Sequence, residues 1–395
     1  MDTLKAELAE FQNVKDLKPM LATEGPCLSV YIPLSSGAAN QSAKADALEW
    51  RECLRGLDSR IAQYGSLGRE LVESISDWSA ISLPEERRGK SVAVFRSPDV
   101  FRVAWAEEQV KSRAVLGPHF YVRPLLPELT RDKTFYILAL SQKNVRLLRC
   151  ASQTSEEVSF PAETATSFDE FMNSAKPDHT NADMSSPGPS SGSSKGITFG
   201  MATDKEDKGE HLAHFYRQID RGLSEALRGQ TEPVVPAAVE YELALYRSLS
   251  DYPHLAEESV QGAPNSLKSG EMHARALDAM LRCYEKKVDD ALAEYNHKVG
   301  GGASNRLKDI LPAAHDGRVL TLLVSDSLEM TGSFDETTYF DETTYKVKGR
   351  ETGAADDEDL INDAVVQTIL HAGQVFVVPN GKMPNGSPLA ATFRF

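Results

Sequence analysis

The spacing of apolar residues changes period several times along the chain, and each change predicts an element. The opening MDTLKAELAEFQ is charged and amphipathic and predicts a helix. CLSVYIP at 27–33 is apolar and β-branched, as a strand requires. A polar-amphipathic stretch over about 41–64 and a run over 69–78 predict helical segments. After the charged turn PEERRGK at 84–90 the period shortens to two, giving strands SVAVF, VFRVAWA and HFYVRPLLP. The prolines of the last end the pattern. These elements predict an α+β domain over residues 1–128.

A second domain is predicted over 129–266. FYILAL at 135–140 is a continuous apolar run, suited to a strand buried on both faces. VRLLRC follows a four-residue turn, and a third strand is expected near 157–160. The apolar pattern then collapses into MSSPGPSSGSSKG at 184–196, inside a loop that spans about 176–209. It returns in GEHLAHFYRQIDRGLSEALRG, where Leu212, Phe215, Ile219 and Leu223 form one helical stripe. VVPAAVE and YELALYRSL supply a further strand and helix.

A third domain is predicted over 267–395. Leu277, Leu281, Tyr284, Val288, Leu292 and Tyr295 stripe a long helix that the glycines at 300–302 end. Ser304 or Asn305 is placed to cap the next helix. Strands at 319–324, 375–378 and 391–395 with a helix at 359–371 predict a small α/β sandwich. The tandem FDETTY at 334–339 and 340–345 is a duplication to which no function is given. The fold class is therefore α+β and α/β, multidomain, with three domains.

Charge refines this picture. The 395 residues carry 43 Lys and Arg against 58 Asp and Glu, for a net −15. Residues 1–150 are at +2 and the remainder at −17, so any nucleic-acid contact must be local or made by the first part. Four scattered cysteines without a CxxC pair suit a reducing compartment. No stretch approaches 18 consecutive apolar residues, and the first residues lack a signal-peptide core. A soluble cytoplasmic protein with no membrane partner is expected.

Candidate chemistry is sparse. Two overlapping G-x-S-x-G matches, Gly188–Ser190–Gly192 and Gly192–Ser194–Gly196, arise from composition and lack the strand–turn–helix context of a nucleophile elbow. Those five residues define a candidate functional loop without a catalytic assignment. No phosphate-binding GK[ST] follows, Glu240 and Glu242 do not share a helix face, and Glu210, His211 and His214 lack a third metal ligand. No cofactor, metal or catalytic residue is predicted. What remains is a mixed basic stripe: His211, His214, Arg217 and Arg221 fall within about 120° of one another at 100° per residue. With Lys195 on the preceding loop, they are the candidate ribosome or RNA contacts.

A glycine-rich loop that leaves a β-core and feeds such a helix resembles the bacterial branch of the archaeo-eukaryotic peptide-release-factor and Pelota superfamily. The resemblance is carried by FYVRPLLPEL (120–129), FYILALSQKNVRLLR (135–149) and HFYRQIDRGLSEAL (214–227). It continues in AAVEYELALYRSLSDYPHLAEE (237–258), ASNRLKDILPAAHDGRVLTLLV (303–324) and FVVPNGKMPNGSPLAATFRF (376–395). It implies a first domain that approaches the small-subunit decoding region. The middle domain would be a ribonuclease-H-like β-core with helices, and the last would be like the kink-turn-binding ribosomal-protein fold. Implied partners are the ribosome and ribosomal RNA, with a translational GTPase as a further one, and no DNA. In release factors a Gly-Gly-Gln at the tip of the middle loop helps position the hydrolytic water. Residues 176–209 contain none, and the glycines at 300–302 lie in the last domain before an alanine. The expected role is thus a ribosome-associated rescue, hibernation or stress factor without peptidyl-tRNA hydrolysis. The alternative is a cytoplasmic protein-interaction module on the same scaffold.

Overall fold

A computed structural model describes residues 6–9, 11–23, 25–36, 39–77, 90–131, 134–151, 154–174, 201–328, 330–332 and 358–395. The chain is a mixed α+β, multidomain protein with several sheets. It divides into two compact units, Met1–Arg131 together with Lys286–Phe395, and Asp132–Glu285.

The first unit begins with β1 (Glu7–Leu8), α1 (Lys18–Leu21), β2 (Cys27–Pro33), α2 (Ala39–Arg55) and α3 (Asp58–Ser74). It continues with β3 (Ser91–Arg96), β4 (Phe101–Ala106), β5 (Arg113–Gly117) and α4 (Leu126–Leu129). The strands form one sheet in the order β1-β4-β3-β2-β5, antiparallel except for the β1–β4 pair. Alternation along β2 and β3 sends Leu28, Val30, Ile32, Val92 and Val94 to one face, against Trp50, Leu54 and Leu71. Tyr31, Ala93 and Phe95 go to the opposite face and a second core. α3 breaks at Gly65, whose φ of 63° lies in the left-handed region that glycine tolerates.

The second unit contains β6 (Phe135–Ala139), β7 (Arg146–Cys150), β8 (Ser155–Val158), α5 (Phe168–Ser174), α6 (Met201–Ala226), β9 (Val234–Ala238), α7 (Glu240–Leu249) and β10 (Val260–Gln261). The order is β10-β9-β6-β7-β8, with β10, β9 and β6 parallel and β6, β7 and β8 antiparallel. One face of this sheet packs with α6 and α7. The other packs with Met272, Ala276, Ala279 and Met280 of α8 (Ser269–Lys298).

The first unit resumes with β11 (Ala303–Ser304), α9 (Leu307–His315), β12 (Val319–Ser325), β13 (Thr331–Gly332), β14 (Glu358–Asp359), α10 (Leu360–Leu370), β15 (Gln374–Val378) and β16 (Leu389–Phe393). β11, β16, β12 and β15 form a four-stranded sheet. α10 is buried nearly all round, from Leu360 through Ile369, so it is a core helix rather than an amphipathic surface one. Leu360, Ile361, Val365 and Ile369 share a single core with Leu17, Tyr31, Phe95, Phe120, Leu125 and Leu129.

Where the two parts of this unit meet, residues 120–123 run through the core without strand pairing. Their peptide groups are instead bonded by side chains. Tyr121 donates its N–H to Ser29 Oγ at 2.9 Å, and its carbonyl accepts from the Tyr31 hydroxyl at 2.5 Å. The Asn362 side chain accepts from the Val122 N–H at 2.9 Å and donates to the Phe120 carbonyl at 3.0 Å. Arg123 closes the seam by an ion pair with Asp359 at 2.6 Å and a bond to the Leu328 carbonyl at 2.5 Å. Asp359 also caps α10, accepting from Ile361 and Asn362 N–H groups at 3.0 Å each.

Several expected elements are corrected by this geometry. HFYVRPLLP is not a strand: its backbone turns into a 3₁₀ segment at Arg123–Leu125 and then α4, with prolines at the start of both. Proline lacks the N–H that a ladder needs and fits a helical first turn. The described part of the opening segment holds β1 rather than a helix, with helical structure starting at Val14–Leu17. Neither Ser304 nor Asn305 caps α9, which starts after Arg306, and the Ser304 hydroxyl bonds Asp309 instead. The FDETTY tandem lies outside the described residues.

Replacing Asn362 with leucine preserves bulk but strands the Val122 N–H and the Phe120 carbonyl in the core. At about 1–3 kcal/mol for each unsatisfied buried group, denaturant unfolding should register a loss of about 2–6 kcal/mol. A loss below about 1 kcal/mol would mean that the clamp contributes little.

Candidate functional site

α6 carries the candidate contact residues because its sequence separates two faces. Leu212, Phe215, Ile219 and Leu223 are buried against the sheet, with Tyr216 beside them. His211, His214, Arg217 and Arg221 are exposed, along with Glu210 and Glu225. Among the described residues neither guanidinium has an ion-pair partner, so both are available to an anion. Lys195, Gly188, Ser190, Gly192, Ser194 and Gly196 lie outside the described residues.

Buried polar bonds hold the inner side of α6. The Asp220 carboxylate accepts from the Tyr246 hydroxyl at 2.8 Å, the Ser250 hydroxyl at 2.5 Å and the Asp251 N–H at 3.1 Å, tying α6 to α7 and the turn after it. Burial, reinforced by the negative charge of Asp220, raises the Tyr246 phenol well above its ordinary value. On the flank, Gln218 donates to the Glu163 carbonyl at 3.1 Å. Gly222 admits the Thr164 side chain so closely that a Cβ there would lie 2.6 Å from its hydroxyl oxygen.

A second polar group sits where β6 and β9 end. Glu242 is buried in the first turn of α7 and accepts from the Gln142 amide at 3.1 Å. The Tyr216 hydroxyl lies near enough to feel this carboxyl yet finds no partner of good hydrogen-bond geometry among the described residues. Burial is the chief influence on Glu242 and raises it above the ordinary 4.5, while the Gln142 and Tyr216 side chains work against that rise. Glu240 is exposed while Glu242 is buried, as their spacing of two predicts, and Gln142, a hundred residues away, leaves no local signal of the bond. A cavity of about 520 Å³ is lined by Asn144, Arg146, Glu157, Phe160 and Thr164, among others.

The remaining reactive groups are quiet. Burial pushes the Cys27 and Cys150 thiols up to about 12, far from the thiolate form that reacts. Among the described residues no three His, Cys, Asp or Glu side chains are grouped to hold a metal, and no helix is long and apolar enough to cross a membrane. The described surface thus offers anion-attracting side chains on a rigidly seated helix, with a polar cavity beside it.

Comparison with known proteins finds a family model that spans this surface. Residues 134–318, which include the whole of α6 and its sheet, match the model for bacterial archaeo-eukaryotic release factor family 3. Among solved structures the chain is similar to Saccharomyces cerevisiae Dom34, a translation termination-like factor, at 10% identity, 98% of this chain, 94% of that chain and a TM-score of 0.38. It is similar to Pelota in a model of ribosome-bound archaeal Pelota and ABCE1, at 13% identity, 99% and 95% coverage and a TM-score of 0.36. The archaeal translation termination factor aRF1 is similar at 15% identity, 97% and 96% coverage and a TM-score of 0.21. No curated protein sequence matches the chain.

The raised Glu242 carboxyl makes a signed prediction. The folded state keeps a proton that the unfolded chain releases, so this group lowers stability as pH climbs from about 4.5 through its folded value. Glu242→Gln removes that titration. The stability of the variant relative to the parent, measured by urea unfolding between pH 4 and 7, should therefore rise with pH. A difference that stays flat would show that the carboxyl ionises freely in the fold.

Proposed function

We propose that this protein is a ribosome-associated translation factor that binds without hydrolysing peptidyl-tRNA, in a rescue, hibernation or stress role. The observation that carries this reading is the family match over 134–318, which spans the helix whose exposed side bears His211, His214, Arg217 and Arg221. Arginine meets phosphate through a planar fork of donors, and two guanidiniums one turn apart, with no ion-pair partner among the described residues, suit a nucleic-acid backbone. The first domain, with its near-neutral balance, would face the small-subunit decoding region. In the same reading residues 129–266 form a ribonuclease-H-like core, and residues 267–395 the fold like the kink-turn-binding ribosomal protein. A translational GTPase is a partner in keeping with Dom34, whose structure is described as interacting with Hbs1. The cytoplasm is the compartment this role requires.

Absence of Gly-Gly-Gln from residues 176–209 supports binding over hydrolysis, because that motif positions the attacking water in release factors. Purified termination complexes should accordingly release no labelled peptide above background when the protein is added. One observation favours a second reading: the net charge of −15 opposes close approach to RNA and suits a protein-interaction module that has left the ribosome.

Sucrose-gradient sedimentation separates the two. The wild-type protein should travel with ribosomal particles in lysate from growing or starved cells. Arg217→Glu with Arg221→Glu should move it toward the top and reduce the slope of log affinity against log salt by roughly 2. If the wild-type protein stays at the top in both conditions, the ribosomal reading fails.

A further inference from the structure

In the first unit, two histidines from separate segments meet a single buried carboxylate. Asp363, in the first turn of α10, is only 8% exposed, and the helix dipole favours a negative charge there. Its Oδ2 accepts from His315 Nε2, at the end of α9, at 3.1 Å. Its Oδ1 is also buried and has no hydrogen-bond partner among the described residues. His119, just past β5, brings Nε2 to 3.7 Å from that oxygen, too far for a hydrogen bond. The same Nε2 lies 3.5 Å from the Gln367 amide nitrogen, and His119 Nδ1 is buried without a partner among the described residues. The two rings address different oxygens, so the group bridges a carboxylate rather than enclosing a metal.

Neither neutral form of His119 suits these neighbours. With a lone pair on Nε2 the Gln367 amide finds an acceptor, but that lone pair also faces the carboxylate and the Nδ1 proton has no partner. With the proton on Nε2, Asp363 has a donor within reach, but the Gln367 amide nitrogen meets another donor. An imidazolium removes the conflict, because Nε2–H turns to Oδ1 and a half-turn of the Gln367 amide offers its oxygen to the same group. His119 keeps a quarter of its side chain exposed, so water can deliver the proton. The charged groups that face it among the described residues are Asp363 from α10 and, across that carboxylate, His315 from α9. Other charges on the adjoining segments are engaged elsewhere: Arg123 with Asp359, Arg318 with Asp316, and Arg113 with the Tyr121 hydroxyl and ring. His371 donates Nδ1–H to the Gln367 carbonyl at 2.9 Å.

We propose that His119, Asp363 and His315 form a proton-operated latch, in which one proton taken up by His119 closes the open side of Asp363 and tightens residues 119–123 onto α10. His119 takes the proton rather than His315, because Oδ2 already has a donor while Oδ1 gains one only from His119. A second imidazolium on the same carboxylate is opposed by the first, so the two rings hold one proton between them. The latch acts beside the Asn362 and Asp359 contacts, so it bears on the seam that joins residues 1–131 to 286–395. Asp363 is a partner that the unfolded chain lacks. The latch therefore adds stability at the acid end of the range in which histidine changes charge, roughly pH 5–8, and loses it as pH rises. It does not rest on the ribosomal reading.

The test is a double-mutant cycle on the full chain, by urea unfolding at pH 5.5 and at pH 8. Trp50, Trp78 and Trp105 all lie in residues 1–131, so tryptophan fluorescence follows this unit. Comparing variants at equal pH cancels the titration of Glu242 and of other groups outside the latch. His119→Gln should lower the unfolding midpoint at pH 5.5 and hardly move it at pH 8, shifting the unfolding equilibrium about tenfold more at the acid value. In an Asp363→Asn background the same substitution should lose that dependence on pH. His315→Gln should cost the same at both values. A cost of His119→Gln that is equal at the two pH values, or an acid-dependent loss that follows His315 instead, overturns the latch. So does an acid-dependent loss that survives in Asp363→Asn. His119 is partly exposed, so His119→Gln should fold, and if Asp363→Asn does not, the two histidine variants still decide.

Discussion

A peptide segment that leaves its sheet and enters a core must find a partner for every N–H and C=O it buries. In this protein residues 120–123 face that requirement, and side chains from β2 and α10 meet it. Ser29 and Tyr31 serve Tyr121, Asn362 serves Phe120 and Val122 together, and Asp359 holds Arg123. The arrangement explains the composition of α10. A helix offered to solvent would carry an exposed polar face, but α10, packed against Leu17, Phe120 and Leu129, buries even its polar residues Asn362, Asp363, Gln367 and Thr368. It also makes Met1–Arg131 and Lys286–Phe395 one compact unit, since a shared core and a buried ion pair join them. Removing either ionic partner would leave the other charge unpaired in low dielectric, which costs about 3–5 kcal/mol.

In Asp132–Glu285 a similar economy separates structure from surface. Asp220 is the buried anchor of α6 and accepts three hydrogen bonds, while Arg217 and Arg221 accept no structural task from the described residues. The inner and outer sides of the helix thus answer to different constraints. This bears on the net charge of −15, which is spread over the chain and screened beyond roughly 8–10 Å at ordinary ionic strength. Within that distance the sign is set by the local residues, and there Arg217 and Arg221 share their side of α6 with Glu210 and Glu225, so the stripe is mixed rather than purely basic.

Much of the fold is visible in the sequence where one physical signal dominates. The apolar runs at 27–33, 135–140 and 319–324 became β2, β6 and β12 because each strand is covered on both faces. The 3.6-residue stripe of α6 was equally plain, and with it the opposite face that carries His211, His214, Arg217 and Arg221. Signals failed where two constraints overlap. HFYVRPLLP alternates like a strand but is fixed by Pro124 and Pro127 and by side-chain partners as distant as Asn362. RAVLG at 113–117 is too short and too mixed to announce β5, yet pairing with β2 makes it one. The Glu242–Gln142 bond and the cavity around Arg146 depend on tertiary contact alone, and no local pattern encodes them.

The same distinction decides what a change on α6 can mean. Gly222 and Gln218 touch the 159–166 segment, so altering them moves packing and surface together. At Gly222 a methyl would meet Thr164 at 2.6 Å, and any helical propensity gained, about 1 kcal/mol, is opposed by overpacking of about 1–3 kcal/mol. Arg217 and Arg221 stand outside that contact. Their side chains reach solvent from a backbone that Asp220, Tyr246 and the apolar stripe hold in place, and charge reversal there alters the field without disturbing its support. A helix built in this way separates affinity from stability, and that separation is what a surface needs if it is to meet a charged partner repeatedly and let it go.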